Sequence, residues 1–235
     1  MDQHDEPDPV GSCVLLQSNG QRYLISAAHV LDNFINRPLF VGTASKWHQL
    51  VGEFRITKLE PGTTREDDPY DYGFFPVSES DAAELDGCRF LTADQLALEE
   101  NPVFDAPYRS KYLALGWPRN RLNLRRKERT TEPQNVAFTG VIAPAEAYAS
   151  YDRSPSVHIL IEYEPKQMST RAGLRLPPSF DGMSGGGIFT VPGLQRLGDD
   201  SPPRLAGITI EVWRDRDLYV GTRIDVIYGA LAAAA

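Results

Sequence analysis

The chain has 235 residues, a length that suits one or two domains and is also usual for one double-layered β-protein. Lys and Arg number 24 and Asp and Glu number 32, so the net charge is −8 and no nucleic-acid partner is expected, because phosphate-backbone binders carry a basic excess. No apolar run approaches the roughly 20 residues that cross a bilayer, and residues 1–10 lack the features of a signal peptide. We therefore expect a cytoplasmic protein without a membrane partner.

The cysteine and histidine content argues against a disulfide scaffold and against a metal site. Two cysteines are too few for a disulfide framework, so free buried thiols are favoured over a bridge. No histidine has a partner at zinc-binding spacing or near a CxxC motif. We expect neither a metal nor a cofactor. The residues concerned are Cys13, Cys88, His4, His29, His48 and His158.

The first half of the chain alternates short β-rich runs with turn signals. Residues 1–10 are acidic and contain two prolines, a composition that predicts a flexible tail. Ser-Asn-Gly at 18–20 predicts a hairpin between the first two strands. A short helical turn is predicted at 28–33 and a helix at 94–100. The predicted strands of this half are 13–17, 23–26, 39–42, 50–59 and 72–77.

The second half continues the all-β pattern after a break in composition between residues 101 and 110. The break divides the chain into lobes over 11–105 and 106–229. Strands are predicted at 112–115, 136–142, 156–163, 187–191, 204–212 and 218–224, with a helix at 225–231. The stretch 119–129 has six basic residues in eleven, which indicates a docking patch or, as we prefer, a solvated loop. Residues 230–235 form an Ala-rich tail.

The strongest chemical signal is the sequence GMSGGG at 182–187, which is followed by an apolar pair. Glycine permits dihedral angles that turn successive N–H groups towards one point, and such a turn can bind an oxyanion. Plain loops and phosphate-binding loops share this composition, but no GK[ST] motif is present. Ser184 is therefore a candidate nucleophile, with a structural loop as the alternative.

A serine hydroxyl is a poor nucleophile at neutral pH unless a base accepts its proton, and a carboxylate usually orients that base. His29 follows a β-run that ends in small residues, so its imidazole can face a cleft. Asp71 directly precedes an apolar strand, where a carboxylate can be partly buried against the imidazole. Asp67 and Asp68 are rivals for this role, but their polar surroundings predict an exposed loop. The resulting order of His, Asp and Ser is a known order for such a triad.

Together these motifs resemble those of the trypsin-like (chymotrypsin-fold) serine peptidases, in their intracellular, prokaryotic form. The sequence SAAH at 26–29 resembles the family's TAAH, DYGFF at 71–75 resembles D-[IL]-A-[LV], and GMSGG at 182–186 resembles GDSGG. Two strand motifs of the second barrel are also similar, LGWP at 115–118 and LAGIT at 205–209. The resemblance covers residues 11–229.

The resemblance implies an all-β fold of two antiparallel six-stranded β-barrels, over 11–105 and 106–229, with a short C-terminal helix. The active site would lie between the barrels. His29 would be the general base, Asp71 would fix its tautomer, and Ser184 would attack the scissile carbonyl. The backbone N–H groups of Gly182 and Ser184 would form the oxyanion hole.

Two departures from the family pattern are informative. Val30 follows His29 where secreted members often carry Cys, as expected for a reducing compartment. Met183 replaces the Asp that, in digestive-type members, pairs with the N-terminus made by zymogen cleavage. Activation by such cleavage is not expected. Activity would instead depend on the loop at 177–183 being already formed, or on a partner that orders it.

The resemblance also places a substrate pocket, although it gives no Asp at the pocket floor. Asp215 or Asp217 on a nearby loop could contribute a charge. Bulky side chains in place of glycine at two positions would narrow the pocket and favour a small apolar substrate residue. The pocket residues implied are Pro178, Ser179, Ile210, Glu211, Val212 and Tyr219, the last two being the bulky ones.

We expect a serine endopeptidase that cleaves selected protein targets through an acyl-enzyme intermediate, under the control of a regulatory protein partner or of oligomeric state. The alternative is a catalytically silent module that keeps the fold and binds a partner. The presence of His29, Asp71 and Ser184 together favours the enzyme. An acyl hydrolase of small esters would share these residues, but the strand-to-helix elbow of an α/β-hydrolase is not indicated.

Overall fold

The structure is a computed structural model that describes residues 9–43, 46–85, 87–119, 122–125, 130–133, 135–163, 169–170, 173–174 and 180–234. Within these ranges, no helix is both long enough and apolar enough to span a membrane. The predicted tail at 1–10 and the basic stretch at 119–129 lie largely outside the described residues.

The first half forms an antiparallel four-stranded sheet in the order β1-β2-β6-β5, and a separate two-stranded pair of β3 and β4. The described residues of this half do not form the closed six-stranded barrel that the resemblance implies. The prediction of one continuous strand at 50–59 is wrong, because one observed strand ends at Leu50 and the next covers only Arg55–Ile56. Between them, Gly52 has a φ of +154°, and the ring of Phe75 occupies the space beside it. The strands are β1 (Val14–Ser18), β2 (Gln21–Ala27), β3 (Leu39–Gly42), β4 (Trp47–Leu50), β5 (Arg55–Ile56) and β6 (Tyr72–Val77).

The predicted hairpin joins β1 to β2. Asn19 and Gly20 have φ angles of 50° and 78°, the left-handed values that a two-residue hairpin turn of this type requires. Ser18 pairs with Gln21 on either side of the turn. Because the turn fixes the register, alternate residues lie on opposite faces of the strands, and both faces are buried: Leu16 and Ile25 pack in one cluster, and Leu15 and Leu24 in another.

The second half closes into a six-stranded antiparallel barrel in the order β10-β11-β16-β15-β14-β7. Closure leaves the barrel itself without an unpaired sheet edge. Two further strand pairs, β8 with β9 and β12 with β13, lie outside the barrel. The strands are β7 (Lys111–Gly116), β8 (Leu122–Arg125), β9 (Thr130–Pro133), β10 (Val136–Ile142), β11 (His158–Glu162), β12 (Ser169–Thr170), β13 (Gly173–Leu174), β14 (Gly187–Thr190), β15 (Arg204–Trp213) and β16 (Leu218–Arg223).

Five α-helices and three 3₁₀ turns complete the described elements. The predicted C-terminal helix is confirmed, and its buried residues Ile224, Ile227 and Leu231 recur at helical spacing. The predicted helix at 94–100 is wrong: only a 3₁₀ turn forms at Ala93–Gln95, and Glu99 has a left-handed φ of 60°. The helices are α1 (Ala28–Leu31), α2 (Glu79–Glu84), α3 (Ala145–Ser150), α4 (Pro192–Gln195) and α5 (Ile224–Ala234).

One hydrophobic cluster joins the two halves of the chain. Leu16 and Ile25 of the N-terminal sheet pack in the same cluster as Leu160, Ile208 and Ile224 of the barrel and the C-terminal helix. Each of these side chains is fully buried. Two other clusters fill the barrel and the space beneath β3 and β4. The division at 105/106 stays a prediction, while the shared cluster fixes the position of the sheet against the barrel.

Candidate active site

The pairing of β2 with β6 brings His29 and Asp71 together. Ala27 is paired with Tyr72 at the end of the antiparallel ladder, so the residues that follow β2 meet those that precede β6. The backbone N–H of Ala28 donates to the carbonyl oxygen of Asp71 at 3.0 Å, which extends the ladder by one bond. His29 is the second residue of the short helix α1, which begins at this point.

Both carboxylate oxygens of Asp71 hold His29. One accepts from His29 Nδ1 at 2.7 Å and the other from the backbone N–H of His29 at 2.9 Å. The Asp71 side chain is 5% exposed and the His29 side chain 39% exposed. The carboxylate is therefore shielded from water, while the rest of the imidazole reaches the surface. Nδ1 acts as the donor here because a carboxylate can only accept.

Asp71 lies in an unusual backbone conformation, with a φ of 39°. Asp tolerates this left-handed region better than most residues, and such outliers concentrate at functional sites. The neighbouring Asp68 supports the turn by accepting from the N–H of Tyr70 at 2.9 Å and from Arg65 at 2.6 Å. Burial raises the pKa of Asp68, but these bonds and others from Thr57 and the Asp71 backbone outweigh it and lower that pKa.

The two rival carboxylates therefore have other partners. Asp68 is buried rather than on an exposed loop, contrary to expectation, and pairs with Arg65. Asp67 is exposed and accepts from the hydroxyl and N–H of Thr64 in a capping box. Among the three candidates, Asp71 is the one that the structure places against His29.

Two residues that the sequence did not single out for the site hold the turn before Asp71 from the barrel side. His158 Nε2 lies 2.5 Å from the carbonyl oxygen of Pro69, and Thr222 Oγ1 donates to the carbonyl of Tyr70. Both side chains are buried. Burial lowers the pKa of His158, so the neutral ring is favoured. Strand alternation alone could not have shown that these side chains cross to the other half.

The candidate nucleophile sits in a tight turn, residues 181–186, which we call the serine turn. Gly182 and Gly185 have φ angles of 91° and 85°, values that residues with a Cβ rarely adopt. At Gly185 a Cβ would lie 2.1 Å from the Ser12 carbonyl oxygen and 2.2 Å from Ser26 Oγ. The glycines of the motif are therefore required by conformation and by close approach. The serines that make this approach close, Ser12 and Ser26, were not predicted from the sequence.

The serine turn presents two available backbone donors. The N–H groups of Met183, Gly185 and Gly186 donate to carbonyl oxygens at 2.9, 2.7 and 2.9 Å. Those of Gly182 and Ser184, by contrast, donate to no described residue. Two unpaired N–H groups one residue apart are what an oxyanion site needs.

The Ser184 hydroxyl donates to the carbonyl oxygen of Ile210 at 3.4 Å, and no hydrogen bond with His29 is formed among the described residues. A 3.4 Å O–H···O contact lies beyond the usual range of such bonds and is weak. In ligand-free enzymes, catalytic hydrogen bonds are often long or poorly aligned and tighten only with substrate. In the structure, His29 is therefore hydrogen-bonded to Asp71, whereas Ser184 is not hydrogen-bonded to either of them.

The residues implied for the substrate pocket have different environments. Ile210 is buried, and Glu211 accepts from Trp213 Nε1 at 2.6 Å. Val212 is half-buried on the same strand. Tyr219 is buried, and its ring centroid lies 5.3 Å from that of Phe180. Pro178 and Ser179 lie outside the described residues, and the role of the whole set in binding stays a prediction.

The described residues also bear on the thiols and on metal binding. Cys13 and Cys88 do not form a disulfide, and both are partly rather than fully buried, in contrast to the expectation. No group of three or more His, Cys, Asp or Glu side chains within the described ranges is arranged to hold a metal ion.

Comparison of the whole structure with solved structures gives similar chains. Neuropsin, a serine protease expressed in the limbic system of mouse brain, has 14% identity and a TM-score of 0.56, with 100% of this chain and 96% of neuropsin covered. The protein has the trypsin-like serine protease fold. A Sesbania mosaic virus structure, described for the coupled folding and binding of the disordered VPg protein, has 14% identity and a TM-score of 0.52, over 94% of this chain and 83% of that one.

The serine protease domain of the Sesbania mosaic virus polyprotein is also similar, with 13% identity and a TM-score of 0.48, over 97% of this chain and 94% of that domain. No protein-family model matches the sequence, and no curated protein matches it. At these identities the trypsin-like fold is the common property, and the chemistry must be argued from the residues of this chain.

Proposed function

We propose that the protein is a serine endopeptidase in which His29, Asp71 and Ser184 act together. The observation that carries this proposal is the double hold of Asp71 on His29, through Nδ1 at 2.7 Å and through the backbone N–H at 2.9 Å. This arrangement fixes the imidazole as the Nδ1–H tautomer. Its Nε2 is then an acceptor, and it forms no hydrogen bond with any described residue. A basic nitrogen at the protein surface is thereby kept available for a hydroxyl proton.

The proposed reaction follows from these protonation states. Ser184 Oγ bonds to the carbonyl carbon of the substrate while its proton passes to His29 Nε2. The resulting oxyanion accepts from the free N–H groups of Gly182 and Ser184, each of which is worth about 3 kcal/mol in such sites. The C–N bond then breaks as the imidazolium gives its proton to the leaving amine. Water repeats the sequence and releases the acyl group from Ser184.

One change of conformation is required before this reaction. The Ser184 hydroxyl must leave the carbonyl of Ile210 and turn towards His29. Since the existing bond is long, at 3.4 Å, its loss costs little. A bound substrate could supply the change.

The position of the Ser184 hydroxyl also supports a second candidate function. A module that binds a protein partner without cleaving it would have no need for the hydroxyl to contact the base. In that case the contact with Ile210 would be the permanent one. The available N–H groups of Gly182 and Ser184 favour the enzyme, because a silent module has no use for them.

The substrate and the control of activity belong to the same proposal. Met183 is fully buried and uncharged, so the serine turn needs no new N-terminus to neutralise it. We propose limited cleavage of selected cytoplasmic protein targets, regulated by a protein partner or by oligomeric state. No cofactor takes part in the proposed chemistry.

A fluorophosphonate probe tests the proposal. The probe reacts with a serine whose proton is accepted by a base, so the parent protein should be labelled and Ser184→Ala should not. Ser18→Ala is the matched control, because Ser18 is buried with a hydroxyl that has no partner among the described residues. This control should label like the parent.

Absence of labelling in the parent, even after addition of cell extract from the native host, would refute the enzyme and leave the binding module. Where labelling succeeds, mapping of new protein N-termini in extracts treated with the parent or with Ser184→Ala identifies peptide bonds as the substrate. It also reveals which side chain precedes the cut.

A further inference from the structure

Every polar group of Ser12 forms a hydrogen bond, and two of these bonds reach the serine turn. Its N–H donates to the carbonyl oxygen of Ser184 at 2.8 Å. Its Oγ donates to the carbonyl oxygen of Gly182 at 2.6 Å and accepts from the N–H of Trp117 at 2.9 Å. Its own carbonyl oxygen accepts from Ser26 Oγ at 2.7 Å. Ser12 itself is only 5% exposed, so all four bonds are shielded from water.

These contacts fall on the two residues that carry the available donors. The N–H groups without an acceptor among the described residues belong to Gly182 and Ser184, and Ser12 binds the carbonyl oxygens of the same two residues. Within a residue, only φ and ψ separate the direction of the N–H from that of the C=O. A hydrogen bond that fixes the carbonyl group of a residue therefore also restricts the directions in which the N–H group of that residue can point.

Gly182 is the residue that most needs such an external anchor. It lacks a Cβ and has a φ of 91°, so the glycine itself does little to prevent rotation of the adjacent peptide groups. The next residue, Met183, is fully buried and packs near Gly116. A thioether provides apolar packing but only a weak hydrogen-bond acceptor. The Ser12 hydroxyl is thus a strong polar anchor for this part of the turn.

The same hydroxyl ties the turn to a third segment. Trp117 follows β7, and its N–H is held by Ser12 Oγ. Next to it, the N–H of Arg119 donates to the carbonyl oxygen of Asp181 at 2.7 Å. A Cβ at Gly182 would lie 2.9 Å from the Trp117 carbonyl oxygen, so the two backbones are in close contact. The Ser12 hydroxyl and the bond from Arg119 to Asp181 together hold the segment at 117–119 against the serine turn.

We propose that Ser12 is a positioning residue for the oxyanion donors, acting through its hydroxyl on Gly182 and Trp117. The inference rests on the proposed function for its effect on catalysis, but the ordering of the serine turn can be measured without catalysis. Ser12→Ala removes the two bonds of the hydroxyl and retains the backbone bond to Ser184. The variant should loosen the Gly182 donor and leave the binding of substrate side chains intact.

Steady-state kinetics on a cleaved peptide provide the first readout. Loss of one complete oxyanion donor lowers kcat on the order of 10²- to 10³-fold, and a loosened donor should cost less, about 10- to 100-fold, with KM nearly unchanged. Ser18→Ala should match the parent in both constants. Equal kcat in Ser12→Ala and Ser18→Ala would overturn the proposal, and so would a change confined to KM.

Amide hydrogen exchange provides a second readout that does not require activity. In an inactive Ser184→Ala background, adding Ser12→Ala should speed exchange of the Trp117 amide and of peptides covering 180–187, whereas adding Ser18→Ala should not. Unchanged protection at Trp117 and in the serine turn would refute the positioning role. Failure of the parent to react with fluorophosphonate would instead refute the proposed function, and exchange would still decide the role of Ser12.

Discussion

The two halves of the chain contribute different kinds of groups to the site. The N-terminal sheet contributes side chains, His29 and Asp71, which are positioned by one strand pairing between neighbouring elements. The barrel contributes a hydroxyl and two backbone N–H groups on the serine turn. The sheet is open in its described residues, whereas the barrel is closed.

This difference shows how each kind of group is kept in place. A side chain can be oriented by a single strong partner, as Asp71 orients His29. A backbone donor can be aimed only by fixing the dihedral angles around it, which requires glycines and several distant contacts. Ser12, from the N-terminal half, hydrogen-bonds the serine turn, while Ser26 from the same half donates to Ser12 and lies close to Gly185. The two halves should therefore fail in different ways when they are mutated.

The largest expected effect comes from the N-terminal half. His29→Ala removes the proposed base, and removal of such a residue lowers kcat by about 10⁶-fold in a comparable triad. His48→Ala is the matched control, because His48 also pairs with a carboxylate among the described residues of this half, with Nε2 at 2.8 Å from Asp81. We expect the control to keep the parent's kcat in an assay of peptide hydrolysis. Similar losses in both variants would show that His29 acts only through stability.

The second-largest expected effect is a loss of unfolding free energy when the serine turn is mutated. Gly185→Ala places a Cβ 2.1 Å from the Ser12 carbonyl oxygen in a residue with a φ of 85°. Gly198→Ala shares the conformation, with a φ of 83°, but has no atom within 4 Å of the new Cβ. The control should lose about 1 to 2 kcal/mol of unfolding free energy from backbone strain alone. Gly185→Ala should lose at least about 2 kcal/mol more, since overpacking adds to the strain.

Urea denaturation of both glycine variants measures this difference. If the two midpoints fell equally, the close approach of Ser12 and Ser26 to the serine turn would have no energetic importance. The serine turn would then be held by its backbone conformation alone, without a contribution from contacts with the N-terminal half.

The smallest effect concerns His158, which links the barrel to the turn before Asp71. Burial and the nearby Arg153 lower the pKa of His158, so the unfolded chain takes up a proton that the folded protein resists. Its stabilising contribution is complete above the unfolded pKa of about 6.5 and is lost as the pH falls below that value. Thermal unfolding between about pH 7.5 and about pH 5.5 should show a falling midpoint, at roughly 2 to 4 °C per kcal/mol lost.

His158→Gln is the variant that isolates this effect, because glutamine can still donate to the Pro69 carbonyl but does not titrate. Its midpoint should change less over the same pH interval than that of the parent. If the unfolding midpoint of the variant changed with pH as steeply as that of the parent, the pH dependence would arise from other groups.

The elements that could be predicted from sequence are those specified by nearby residues. The hairpin at Asn19 and Gly20 follows from the need for left-handed φ angles, and the strands at 39–42, 72–77 and 136–142 match the observed bounds. The pairing of His29 with Asp71 was also predicted, because both residues flank clearly marked strands. The glycines of the serine turn were also identified, because they stand together in the local motif at 182–187.

The features that could not be predicted depend on residues far apart in the chain. Ser12 lies 170 positions from Gly182, and nothing in its own neighbourhood marks it as an anchor. Thr222 and His158 looked like ordinary strand residues, although they reach across to the turn before Asp71. The extended run at 50–59 was predicted as one strand, since the interruption at Gly52 arises from packing against Phe75.

The bond from Thr222 to the Tyr70 carbonyl has a consequence for biosynthesis. A ribosome releases the N-terminal sheet first, and the barrel closes only after β16 pairs with β11 and β15. The same strand carries the hydroxyl that secures the turn before Asp71. A nascent chain that has passed Ser184 but not β16 therefore lacks both the closed barrel and this tether. If the protein is the proposed peptidase, hydrolysis would therefore begin only after β16 has been made, and self-cleavage during translation would be limited.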